Sequence, residues 1–145
     1  MSETRTAAGF VLAHIENRKA RYLLLCSTSH GNWLPPKGHA DEGDADELAT
    51  ALRELEEETG IRDVALVEDF RQVIEYDVDT PRGKYHKQVV YLLGTTPATK
   101  VVRSSEHNDH GWFDLDKAVE TLGFEQIKNV LRAADERLRQ VGLVD

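Results

Sequence analysis

The sequence predicts a single α/β domain, residues 1–145, in which a mixed β-sheet is sandwiched between α-helices. Two pairs of β-rich runs, at 7–27 and 64–96, are separated by a stretch of helical periodicity, and a second amphipathic stretch closes the chain. No internal repeat, low-complexity segment or linker divides it.

AAGFVLAHI (7–15) and RYLLLCS (21–27) are apolar runs around the polar ENRKA and read as two strands joined by a turn. SHGNWLPPKG (29–38) is a loop, because Pro35 and Pro36 cannot both serve a helix interior or a central strand. From Asp46 to Thr59 the spacing is helical; Asp44 with Glu47 three residues later resembles a capping box, and Gly60 suits the left-handed position past a helix end. VALVEDFRQVIEYDV (64–78) and HKQVVYLLGTT (86–96) flank the turn DTPRGKY and predict a long hairpin. GWFDLD (111–116) reads as a short strand. In GFEQIKNVLRAADERLRQ (123–140), Phe124, Ile127, Val130, Leu131, Ala134 and Leu138 recur at spacings of three and four, so this helix is expected to cover one sheet face.

Composition narrows the function. With 40% hydrophobic and 30% charged residues the chain is ordinary globular protein, which excludes disorder, collagen and coiled coil. Its 26 acids against 18 Lys and Arg give a formal charge of −8, which repels duplex nucleic acid and anionic membranes. A phosphate-bearing ligand therefore needs local basic residues or a divalent cation. No apolar run reaches the ~18 residues of a membrane span, and the N-terminus lacks a signal-peptide core. The one cysteine, Cys26, sits in an apolar run as a small hydrophobe, so a cytoplasmic monomer is the expectation.

The acids of the 46–59 helix are not placed for stability. Taking Glu54 as zero at about 100° per residue, Glu57 falls near −60° and Glu58 near +40°, whereas Leu48, Ala51, Leu52 and Leu55 fall between about +60° and +160°. The glutamates gather toward the helix C-terminus, where the macrodipole disfavours them, with Arg53 the one base between Lys37 and Arg62. Three clustered carboxylates are hard oxygen ligands of the kind Mg²⁺ or Mn²⁺ prefers, and the backbone carbonyl of Gly38 in the preceding PPKGH loop is placed to join them.

Arg53-Glu54-Leu55-Glu56-Glu57-Glu58-Thr59-Gly60-Ile61 resembles the second half of the Nudix box, R-E-U-x-E-E-x-G-U with U apolar, at every fixed position. The first half departs: Gly38 is followed by five residues and then Asp44 where the family has Glu, with eight residues before Arg53 where the family has seven. That insertion is expected to lengthen the loop ahead of the helix. AAGFVL, LLL, W-x-PPKGH, VVYLL and S-x-EH-x-x-x-x-W, in that order, resemble the animal-type branch that cleaves diadenosine tetraphosphate asymmetrically.

The resemblance implies a Nudix fold and hydrolysis of a nucleoside diphosphate-linked substrate, here diadenosine tetraphosphate to ATP and AMP. It makes Gly38, Glu54, Glu57 and Glu58 the metal ligands for Mg²⁺, with Mn²⁺ an alternative, and Arg53, Glu54, Glu58 and Glu106 the catalytic set. Arg53 orients a glutamate and does not touch substrate; Glu54 and Glu106 are both eligible as base. Lys37, Lys84, Lys87, His39 and His107 are the expected polyphosphate contacts, and Tyr76, Tyr85 and Tyr91 the stacking candidates, although the apolar strand around Tyr91 also suits a core residue. Alternatives are a Nudix pyrophosphohydrolase of RNA 5′ ends or nucleoside triphosphates, and a nucleotide-sensing module without turnover.

Overall fold

The computed structural model describes residues 3–29 and 31–145. Its elements are β1 (Glu3–Glu16), β2 (Lys19–Ser27), β3 (Trp33–Leu34), β4 (Lys37–His39), α1 (Glu47–Thr59), β5 (Ala65–Thr80), β6 (Gly83–Thr95), β7 (His107–Phe113), α2 (Leu115–Thr121) and α3 (Glu125–Gln140). They form one mixed sheet in the order β3-β2-β1-β6-β5, with β4 also on β1 and β7 also on β2. β1 runs parallel to β6 from Glu3 opposite Tyr85 to Ala13 opposite Thr95, and every other pairing is antiparallel.

Strand alternation divides the apolar residues between two cores. On β1, Ala7, Val11 and Ala13 face one side with Val89, Tyr91 and Leu93 of β6, where Ile127, Val130, Leu131, Ala134 and Leu138 of α3 cover them. Ala8, Phe10 and Leu12 face the other side with Val90 and Leu92, under Ala51 and Leu55 of α1. The sandwich of sheet between helices is therefore as the periodicity predicts. Among the described residues no helix is long and apolar enough to cross a membrane.

Four local readings change. GWFDLD is not one strand: β7 ends at Phe113, Asp114 caps α2 by accepting from the Lys117 N–H at 2.9 Å, and the following residues turn helical. α3 starts at Glu125, so Phe124 precedes the helix and stays 47% exposed outside the apolar stripe. The cap of α1 is Asp46, which accepts from the Ala49 N–H at 2.8 Å, and not Asp44. Leu52, expected in the apolar stripe, is 39% exposed, while Glu58, expected among the acids, is 5% exposed. The buried arc of α1 thus reaches further toward the glutamates than the leucines imply.

Candidate active site

Arg53 is the hub of the site. Its Nε and NH2 donate to the two carboxylate oxygens of Asp44, each at 3.0 Å, and NH2 also donates to the His39 carbonyl at 3.0 Å. Its NH1 donates to Glu54 Oε1 at 3.0 Å and Glu57 Oε1 at 3.2 Å. One guanidinium therefore fastens the loop of residues 39–44 to α1 and sets the rotamers of two glutamates. The Arg53 guanidinium holds the Asp44 carboxyl well below the usual carboxylate range, helped by the Asp41 N–H and the Thr50 hydroxyl. Asp44 anchors that loop to α1.

Glu58 and Glu54 stand in the opposite electrostatic condition. Burial raises the Glu58 carboxyl to about 8, with repulsion from Glu54 adding to it and Lys37 opposing. Oε1 of Glu58 is buried without a hydrogen-bond partner among the described residues. Burial also raises Glu54, against the pull of Arg53. Gly38 of β4 packs directly on the Glu54 carboxylate, so that a Cβ there would occupy the same space.

As they stand, no three Asp, Glu, His or Cys side chains among the described residues converge on one point that would hold a metal. The donor chemistry nevertheless fits a divalent cation: hard carboxylate oxygens, one of them buried and unpaired, beside a glycine that lets the backbone come close. A carboxyl whose folded value lies above its ordinary one keeps its proton in the fold after the unfolded chain has lost it, and folding stability then falls as pH rises. Without divalent ions the protein should therefore melt at lower temperature as pH rises from 6.5 to 8. Added Mg²⁺ should raise the melting temperature more at pH 8 than at pH 6.5, and scanning calorimetry at fixed ionic strength checks both signs.

The carboxylates line a cleft of about 1000 Å³. Of the residues the sequence singles out, Lys37, Gly38, His39, Glu54, Glu57, Glu58, Tyr76, Lys87, Tyr91, Glu106 and His107 all line it. Arg53 stands behind them through its bonds to Glu54 and Glu57. Lys84 does not join them: it is exposed at the hairpin tip, 3.7 Å from Asp79. Tyr91 is fully buried in the core and offers no open face for stacking, which corrects that expectation. Lys87 is 6% exposed, and burial together with Lys37 lowers its ammonium to about 8. Among the described residues no carboxylate pairs with Lys37 or Lys87, so the cleft holds two cations in want of an anion. The same cations, with partial burial foremost, lower His39.

The cleft also has an apolar and aromatic lining, with Ile74, Tyr76, Val78, Tyr85, Val89, Phe124 and Ile127. Phe124 was assigned to the core from its place in the α3 stripe, and its position one residue before the helix start is the signal that separates it. Ser104 was also missed. It lies in the loop before β7, and its Oγ is 3.1 Å from His107 Nδ1.

A mixed sheet between helices, with a glutamate-rich helix and a glycine loop at the mouth of a cleft, is the arrangement of a known family. The chain belongs to it: the NUDIX domain matches residues 5–134, and the protein is a Nudix pyrophosphohydrolase. More particularly, it is 35% identical over 133 residues to the asymmetrical bis(5′-nucleosyl)-tetraphosphatase of Rattus norvegicus, covering 88% of this chain and 87% of that one. The crystal structure of a Caenorhabditis elegans Ap4A hydrolase binary complex superposes with a TM-score of 0.86 at 29% identity, covering 94% of this chain and 98% of the other. The RNA pyrophosphohydrolase of Pelagibacter ubique is more distant, at 28% over 125 residues, 78% of this chain and 72% of its own.

Proposed function

We propose that this chain cleaves diadenosine tetraphosphate asymmetrically to ATP and AMP, with Mg²⁺ or Mn²⁺ held by Glu54, Glu57, Glu58 and the Gly38 carbonyl. The observation that carries the reading is the lining of the cleft, which combines carboxylates, an aromatic and apolar surface, and Lys37 with Lys87. A bare triphosphate meets the carboxylates through a cation and the lysines only, whereas a nucleoside polyphosphate also uses the aromatic surface. The similarity to asymmetrical tetraphosphatases over most of the chain supports the same substrate class.

In this reading Lys37 and Lys87 bind the phosphate chain, and Tyr76 and Phe124, both exposed on the apolar lining, take a nucleobase face. Arg53 keeps Glu54 and Glu57 in place. When bound, a divalent cation neutralises phosphate oxygens and lowers the pKa of water. Hydrolysis adds the water oxygen to phosphorus and breaks the P–O bond to the departing phosphate. The water proton goes to a carboxylate, and Glu54 and Glu106 both line the cleft to receive it. Of the two variants Glu54→Gln and Glu106→Gln, the one that abolishes the acidic limb of the kcat profile identifies the base.

Chromatography of the products tests the assignment, with diadenosine tetraphosphate, 5′-triphosphorylated RNA and nucleoside triphosphates supplied side by side. Equal ATP and AMP formed fastest supports it; preferential release of pyrophosphate from RNA replaces it with the reading that the Pelagibacter relative suggests. Lys87→Met is expected to raise KM for the preferred substrate by about 10–100-fold, the worth of one charge-assisted contact, with a smaller change in kcat. Steady-state kinetics of the folded variant checks this.

A further inference from the structure

The loop ahead of β7 is laced to the C-terminal end of α1. The Val102 N–H donates to the Thr59 carbonyl at 2.9 Å, the Ser104 N–H to the Glu58 carbonyl at 3.2 Å, and the His107 N–H to the Ser104 carbonyl at 3.2 Å. These backbone bonds carry two side chains inward. His107 Nε2 lies 3.3 Å from Glu58 Oε2, in surroundings where the two side chains are 12% and 7% exposed. The other ring nitrogen, Nδ1, is 3.1 Å from Ser104 Oγ. His107 thus stands between Glu58 and Ser104 at the wall of the cleft.

With a cation bound Glu58 is ionised, and an ionised carboxylate oxygen only accepts, so its approach to the imidazole is favourable when Nε2 carries the proton. The Ser104 hydroxyl, able to donate or accept, bonds Nδ1 and holds the plane of the ring in that approach. Oε2 of Glu58 therefore faces the imidazole, while its Oε1 has no partner among the described residues.

We infer that Ser104 and His107 are positioning residues for Glu58: Ser104 orients the imidazole, His107 holds the Oε2 side of the carboxylate, and Oε1 is kept as the atom that binds a divalent cation. The inference rests on the reading of Glu58 as a metal ligand. Residues that hold a metal ligand in place through such contacts typically contribute about 10–100-fold to metal affinity or activity. A purely structural tie between loop and helix would be served by the backbone bonds alone and would leave metal affinity untouched.

The test measures Mn²⁺ binding by electron paramagnetic resonance titration without substrate. Ser104→Ala and His107→Leu are each expected to weaken Mn²⁺ binding by about 10–100-fold. Ser104→Thr, which keeps a hydroxyl, and His107→Gln, which keeps an amide donor, should recover most of that loss. Glu58→Gln separates the two levels of the argument. If it loses Mn²⁺ while folded Ser104→Ala and His107→Leu bind within about twofold of wild type, the support is disproved and the ligand role stands. Should Glu58→Gln bind Mn²⁺ as wild type does, the ligand role itself fails and the support with it. Circular dichroism melts establish folding; where His107→Leu does not fold, the Ser104→Ala and Ser104→Thr pair decides.

Discussion

Glu58→Gln is expected to lower kcat by about 10³-fold or more and, in the same preparation, to raise the melting temperature of the metal-free protein. The two effects have one origin. In the fold Glu58 is buried beside Glu54, and its charged form is resisted strongly enough to lift its carboxyl to about 8. Glutamine has nearly the same shape, carries no charge and retains an acceptor for His107. It removes the cost of burying a charge, and the repulsion from Glu54, together with the carboxylate that serves as ligand. The stability gain should be on the order of 1 kcal/mol, a few degrees in melting temperature for a chain of this length, and should shrink toward pH 5, where the wild-type carboxyl is itself protonated. Steady-state kinetics and calorimetry across pH check the pair. A variant that loses activity and melts lower than wild type would show that Glu58 is held by stabilising contacts, and the electrostatic account of the site would fall.

Gly38→Ala is expected to cost about 100-fold or more in kcat with a much smaller loss of stability. The added methyl would enter the space of the Glu54 carboxylate. That carboxylate hangs on a flexible side chain, so it swings away from β4, and the fold survives while the ligand set is misplaced. Gly9→Ala on β1 offers the contrast. There the methyl meets the Pro36 carbonyl and the Lys37 backbone, which have no such freedom, so the strand pairing itself must shift. We expect Gly9→Ala to destabilise by about 2–4 kcal/mol and Gly43→Ala, whose methyl has nothing within 4 Å, to change neither property. Thermal melts of the three variants beside their kcat values check the order.

The parts legible in the sequence were those written in short-range patterns. α1 follows from its spacing and its Gly60 stop, which is left-handed with φ of 76° in the structure. The hairpin of β5 and β6 follows from two β-rich runs around a Pro-Gly turn, and the terminal helix from one apolar stripe. The α2 helix was not legible because it is a short element whose start is a single capping aspartate, Asp114, inside a segment that also continues a strand. Choosing Asp44 over Asp46 as the cap is the same kind of ambiguity, two acids within a turn of one another; only the pull of Arg53, nine residues away, separates their tasks.

The site shows the same boundary. The glutamates of α1 are legible in the box, but the contact that closes over Glu58 comes from a loop more than forty positions on, folded back over the helix. Tyr91 and Phe124 exchange expectations for a comparable reason. An aromatic within an apolar strand and an aromatic at the head of an apolar stripe look alike in sequence, and which faces the cleft is decided by where the helix begins.

The parallel pairing of β1 with β6 bears on how the enzyme is made. The first strand can pair along its length only after the chain has been synthesised past Thr95, whereas the β5–β6 hairpin closes between neighbours in sequence. High contact order of this kind slows folding, because the loop entropy is lost before the long-range contacts form. The hairpin is therefore an early unit and the β1–β6 ladder a late one, and α1 packs chiefly on β1. During refolding, hairpin signals should precede catalytic activity, which appears only with the last structural phase, so a nascent chain released before β6 carries the Nudix box without an active site.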